Sequence, residues 1–246
     1  MKIGFIIALI CFVLCRCNSP KQEIITHNTL TEKEKQDGWK LLFDGKTTAG
    51  WYTYGRESMG KAWKADSGTL HLDPEQKDGW QTKDGGDIVT DDEYDNFHLK
   101  LEWKISEGQN SGIFFFVNED TSKYKYPWQS GPEMQVCDNE KNEDGAVDKA
   151  RAGDIYSIIA TTSQKYVKRA MQWNKVEILA NRGKLDLYMN EEHILSTILW
   201  DQSWKNLIEN SHFKDTPGFG TFKKGKIGLQ DHAAPTWFRN IKIKTL

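Results

Sequence analysis

The chain has 246 residues, 28% of them charged and 12% aromatic, with a formal net charge of −2. That composition excludes a disordered chain, the charge excludes a strongly basic nucleic-acid binder, and the length calls for no more than one large domain. The ten tryptophans suit a large β core and equally suit stacking against the apolar face of a sugar ring.

Lys2 precedes an apolar run, residues 3–14, which has the length of a signal-peptide core and is short for a membrane span. It ends in Leu14-Cys15-Arg16-Cys17-Asn18-Ser19, and a cysteine directly after the apolar core resembles a bacterial lipoprotein signal. Cys17 is the first choice for lipidation and Cys15 the second, though Leu14 and Arg16 are both poor residues before a cleavage site. An ordinary secretory signal and a retained anchor are the alternatives. The expectation is an exported protein of the periplasm or outer membrane of a Gram-negative bacterium, touching the membrane only through its lipid. Residues 18–36 read as a polar tether and 37–246 as the folded domain. Cys137 is the single cysteine of that domain, so no disulfide can form within it.

The domain opens with Gly38-Trp39-Lys40-Leu41-Leu42-Phe43, a short strand running into the Asp44-Gly45 turn. Residues 63–72 read as a hairpin turning at Asp66-Ser67-Gly68, and 73–86 as a polar loop before a short strand at 86–90. Phe97, Leu99, Leu101, Trp103 and Ile105 alternate strictly with His98, Lys100, Glu102 and Lys104, the clearest strand of the chain. Asn110-Ser111-Gly112 reads as a turn into Ile113–Val117, a run apolar on both faces and therefore a central, doubly covered strand. After a loop holding Tyr126 and Trp128, Glu133-Met134-Gln135-Val136 forms a strand with Glu133 and Gln135 on one face. A polar loop, 138–154, carries Asp138 and Arg151, and 156–159 reads as one more short strand. A hairpin about Asn181-Arg182-Gly183, a turn at Asn190-Glu191, a helix near 201–210 capped by Asp201 or Ser203, and two strands at 226–232 and 237–243 complete the chain. About a dozen short strands and one helix make an all-β sandwich or jelly roll.

Four stretches carry a resemblance: residues 38–46 with Gly50-Trp51; residues 97–104 with Asn110-Ser111-Gly112-Ile113; Gly131-Pro132-Glu133-Met134-Gln135; and residues 225–232 with Phe238-Arg239-Asn240-Ile241. In this order they resemble the 3-keto-disaccharide hydrolase family, formerly a domain of unknown function, with many exported members in Bacteroides-type bacteria. The resemblance implies a concanavalin A-like jelly roll and cleavage of 3-keto-glycosides. It departs at Ala233-Ala234-Pro235, where a glycine usually follows the Gln230-Asp231-His232 run.

Glucanases of the same broad fold use Glu-x-Asp-x-x-Glu, whereas here the spacing reads Glu133-x-Gln135-x-x-Asp138. Glu133 and Asp138 form a nucleophile–acid pair only if a bulge brings both to one face, because an offset of five is odd. The resemblance points instead to abstraction of the acidic C2 proton beside the ketone and expulsion of the aglycone, which needs a base, an acid and an enolate stabiliser. Glu133, His232 and Asp138 are the candidates for proton transfer. Gln135, Arg151, Gln230, Asn110, Trp128, Tyr126 and Glu102 are the candidates for holding the sugar. A divalent cation held by Glu133, Asp138 or His232 is an option that no ligand spacing signals. The rival readings are a conventional glycoside hydrolase and a non-catalytic carbohydrate-binding lipoprotein.

Overall fold

The computed structural model describes residues 26–246; the stretch read as a signal sequence, with Cys15 and Cys17, lies outside them. Fifteen strands follow one another as β1 (Lys40–Leu41), β2 (Trp51–Thr53), β3 (Trp63–Asp66), β4 (Thr69–Leu72), β5 (Lys77–Asp78), β6 (Gln81–Thr82), β7 (Ile88–Thr90), β8 (Phe97–Ile105), β9 (Asn110–Val117), β10 (Glu133–Cys137), β11 (Asn174–Asn181), β12 (Lys184–Met189), β13 (Glu192–Ile198), β14 (Lys226–Leu229) and β15 (Thr236–Thr245). An eight-stranded sheet runs β13-β12-β11-β8-β15-β4-β3, with β1 beside β15, and a five-stranded sheet runs β10-β9-β14-β7-β2. All pairings are antiparallel, and the two sheets face each other as a jelly-roll sandwich.

The alternation along β8 builds the core. Phe97, Leu99, Leu101, Trp103 and Ile105 are buried, and they meet Ile113 and Phe115 of β9, Met134 and Val136 of β10, and Ile227 and Leu229 of β14 in one apolar cluster. Ile113 and Phe115 enter that core, joined by Phe116, whose left-handed backbone (φ +56°) reverses the alternation. The other face holds Phe114 and Val117 in a smaller cluster with Tyr54, Val89, Tyr52 and Trp128, so β9 is covered on both sides. Two-residue turns close the hairpins where the sequence places them, with left-handed backbone at Ser67-Gly68, Arg182-Gly183 and Asn190-Glu191.

Four local expectations are corrected. Asn110-Ser111-Gly112 is not a turn but the start of β9, because β10 continues the pairing to Cys137 opposite Asn110. Residues 156–159 form no strand: Ile155 makes isolated bridges to Met134 and Ile159 while 153–156 pads the edge of β10. The loop 73–86 contains the small hairpin β5–β6. The single expected helix, α2 (Gln202–Glu209), is capped by Asp201, but α1 (Glu32–Gln36) precedes it within the polar stretch read as a tether. The described part of that stretch, residues 26–36, lies against the outer face of the eight-stranded sheet: Asn28, itself buried, bonds Gly68 and Asn240, and Glu34 pairs with Lys242.

Candidate active site

The site lies on the outer face of the five-stranded sheet. Glu133 and Gln135 leave β10 on the face opposite Met134 and Val136; across the ladder Gln135 pairs with Gly112 of β9 and Glu133 with Phe114. A Cβ at Gly112 would overlap the carboxyl group of Glu133, so the glycine is the floor on which that side chain lies. On the far side of β9, the Gln230 amide N–H donates to the Gly112 carbonyl, which brings the chain leaving β14 level with Gln135. These residues line a cavity of about 360 Å³ together with Asn110, Trp128 and His232.

Six of the ten residues expected at a site therefore converge: Glu133, Gln135, Asn110, Gln230, Trp128 and His232. Tyr126 stands behind the wall, stacked on Trp128 with ring centroids 5.7 Å apart. The remaining three lie elsewhere. Asp138 turns back into its own loop and accepts from the N–H groups of Gly108 and Glu140, at 2.7 and 3.2 Å. No bulge carries it to the Glu133 face, and the carboxylate pair that its spacing suggested does not form in the cavity. Arg151 bonds Asp148 at 2.6 Å. Glu102 pairs with Arg239 at 2.8 Å on the outer face of the other sheet, because β8 alternates in the opposite sense.

The cavity also contains residues that sequence reasoning missed. Asp144, at a single turn of 3₁₀ helix (Glu143–Ala146), accepts from the side-chain amides of Asn110 (2.8 Å) and Gln135 (3.4 Å). Both amides thus have their N–H groups engaged, while Asn110 Oδ1 and Gln135 Oε1 are buried without a partner. Trp80 sits at the tip of the β5–β6 hairpin and leans on the His232 ring at 5.8 Å. Tyr156 and Phe213 continue the aromatic wall, with Phe213 stacked on Phe219 at 3.8 Å. Asp78-Gly79-Trp80, an Asp-Gly turn with a tryptophan on it, was the one visible signal among these.

Burial and neighbouring charge set the protons. Glu133, 6% exposed, has its carboxyl pushed well above the usual range, first by desolvation and then by repulsion from Asp87 and Asp144. Burial lowers the His232 imidazole below its ordinary value, against the pull of Asp144 and Asp231. Burial thus favours the protonated form of the Glu133 carboxyl and the neutral form of the His232 imidazole, the pairing an acid and a base need. Tyr156 is raised by burial and stays a hydroxyl donor.

Asp231, between Gln230 and His232, is fully buried and organises the rim. Its carboxylate accepts from the Thr82 N–H and hydroxyl, from Gly86 N–H at 2.7 Å and from Ala233 N–H at 2.8 Å. It ties the β5–β6 hairpin, and so Trp80, to the loop that carries His232. Among the described residues no group of three or more His, Cys, Asp or Glu side chains is arranged to hold a metal ion.

Comparison with known proteins agrees with this architecture. The chain is 34% identical over 230 residues to the 3-keto-disaccharide hydrolase of Bacteroides thetaiotaomicron, covering 85% of this chain and 79% of that protein. A crystal structure of a candidate glycosyl hydrolase from Parabacteroides distasonis superposes with a TM-score of 0.80 at 30% identity, over 90% of this chain and all of the other. A second such structure from the same organism gives a TM-score of 0.59 at 25% identity, over 85% of this chain and 99% of the other. A family model described as 3-keto-alpha-glucoside-1,2-lyase-like domain matches residues 38–244, and the chain belongs to that family.

Proposed function

We propose that this glycosyl hydrolase-like enzyme cleaves glycosides whose sugar carries a ketone at C3, by elimination across C1–C2 followed by hydration. The observation that carries the reading is the convergence of the buried Glu133 carboxyl and the His232 imidazole on one cavity, where burial favours the uncharged form of each. The family's own description supports the same substrate class.

In this reading the ketone acidifies the hydrogen at C2, and the His232 imidazole removes it. The electron pair moves onto the C3 oxygen as an enolate, stabilised by donors on the cavity, for which the Gln230 amide and the Tyr156 hydroxyl are available. Collapse of the enolate breaks the C1–O bond, and Glu133 gives its proton to the departing oxygen. Water then adds at C1 and a proton returns to C2, giving the 3-keto sugar and free aglycone. The unpartnered oxygens of Asn110 and Gln135 accept from sugar hydroxyls, which is the partner their burial demands. Trp80 and Trp128 supply apolar surface for the ring face. A conventional retaining mechanism needs an ionised carboxylate nucleophile beside the acid; Asp138, the residue offered by spacing, faces away from the cavity, and Asp144, the carboxylate that does line it, has Oδ2 engaged by the Asn110 and Gln135 amides.

Export as a lipid-anchored protein belongs to the same proposal, on the pattern of residues 1–17. Aglycone release from a 3-keto-glucoside and from its unoxidised counterpart, each with and without chelator, tests the chemistry. Release from the keto sugar alone is expected. Release from both substrates would replace elimination by ordinary glycoside hydrolysis, and loss of activity with chelator would place a cation in the reaction.

A further inference from the structure

Beside the cavity, beyond Tyr126, lies a second hollow of about 240 Å³ whose lining includes Asp87, Gln81, Arg56, Lys125 and Tyr126. Asp87 is 2% exposed, immediately before β7. Its Oδ1 accepts from the Asp231 N–H at 2.9 Å, while its Oδ2 is buried without a well-formed hydrogen bond, the Gln81 side chain being the polar neighbour of the carboxyl. An unsatisfied buried carboxyl oxygen costs roughly 1–3 kcal/mol and is seldom kept without a use.

The chemistry of the hollow narrows what fits. A hydroxyl both donates and accepts, so it satisfies Asp87 whether the carboxyl is protonated or ionised. A carboxylate or phosphate placed on that floor would be tolerated only by a protonated Asp87, and its cationic partners, Arg56 and Lys125, stand at the rim and not on the floor. Arg56 and Lys125 are exposed at the rim and offer donors to further oxygens, and the Lys125 ammonium lies 5.0 Å over the Tyr126 ring. Tyr126 is the partition: one face of its environment is this hollow, and it stacks on Trp128, which faces the first cavity. Trp80 of the first cavity meets Tyr126 edge-on at 5.2 Å.

We propose that this hollow is a subsite for the leaving group, built for a second, neutral, hydroxyl-rich sugar ring, with Asp87 and Gln81 taking its hydroxyls and Arg56 and Lys125 closing over it. The inference rests on the reading that the keto sugar occupies the Glu133 cavity, and it makes the substrate a disaccharide-sized glycoside.

The test compares a 3-keto disaccharide with methyl 3-keto-glucoside, whose aglycone has no ring. For Gln81→Ala, Lys125→Ala and Asp87→Asn the ratio of kcat/KM, disaccharide over methyl glycoside, should fall about five- to tenfold, as expected for one lost hydrogen bond. An unchanged ratio in all three overturns the subsite. Lys125 is a surface residue, so its variant keeps the fold whatever happens at Asp87. Calorimetric titration of the unoxidised disaccharide and of methyl glucoside judges the subsite without any chemistry. Tighter binding of the disaccharide by the parent protein, and loss of that preference in Lys125→Ala, supports it even if neither keto substrate is cleaved, an outcome that would sink the reaction alone. Equal affinity for the two ligands, or none for either, overturns the subsite.

Discussion

Gly112 decides where the acid stands. Because its missing Cβ leaves room for the Glu133 carboxyl, Gly112→Ala pushes that carboxyl off its seat while the strand pairing of β9 survives. A displacement of this kind costs about 100-fold in kcat, with little change in the melting curve; an active Gly112→Ala enzyme would remove Glu133 from the proton transfer. Ala233 shows the opposite case. It has φ +52°, the left-handed region where an L-residue is strained and a glycine is not. Ala233→Gly should stabilise the protein by about 0.5–1 kcal/mol, read as a rise of about 2 °C in melting temperature. Glu133 and Gln135 were legible in the sequence, because period-two alternation puts them on one face of β10, whereas Gln230 and His232 reach the cavity from the chain beyond the end of β14. Asp144 was not, since nothing local distinguishes it from Asp138, and only the folded loop shows which carboxylate returns to Asn110 and Gln135.

The elements that matter most to the site are its small ones. The β5–β6 hairpin has two-residue strands and would not hold together alone. It is held by Asp231, which gathers N–H groups from Thr82, Gly86 and Ala233 into one buried carboxylate. Asp231→Ala leaves these donors without an acceptor and should cost about 3 kcal/mol or more, measured by denaturant unfolding. It should also loosen Trp80 against His232, seen as a changed tryptophan emission. The long strands were read correctly from pattern alone: β8 from its strict alternation, β9 from an apolar run too short for a buried helix. The hairpin and the padding at 153–156 were missed because their pairing is dictated by neighbours far along the chain, not by their own composition. Asn110-Ser111-Gly112 misled for a related reason. Its residues favour turns, and the partner strand β10 overrides that preference.

For the molecule as a whole, the buried acids set a pH dependence. Asp87 is pushed from 3.8 up to about 8 by burial and by the neighbouring Asp231, and Glu133 is raised as well. The folded state therefore keeps protons that the unfolded chain has already released. Stability is fullest below the unfolded carboxyl value and falls as pH rises toward the folded one, at up to about 1.4 kcal/mol per pH unit for each such group. Asp87→Asn keeps the acceptor for Asp231 N–H but has no proton to lose, so its stability should decline less steeply between about pH 4 and pH 8. Unfolding curves recorded across that range check this, and parallel curves for the two proteins would show that Asp87 does not carry the linkage.

The segment that includes Asn28 and α1 lies on the outer face of the eight-stranded sheet, while the cavity opens on the outer face of the other sheet. Front and back of the sandwich are therefore divided between the cavity and the described N-terminal segment. A resin bead or sensor chip coupled to that segment would face the back, and the mouth would look outward. Coupling through that end should leave turnover as it is in free solution, whereas coupling through lysines such as Lys125, beside the mouth, should obstruct it.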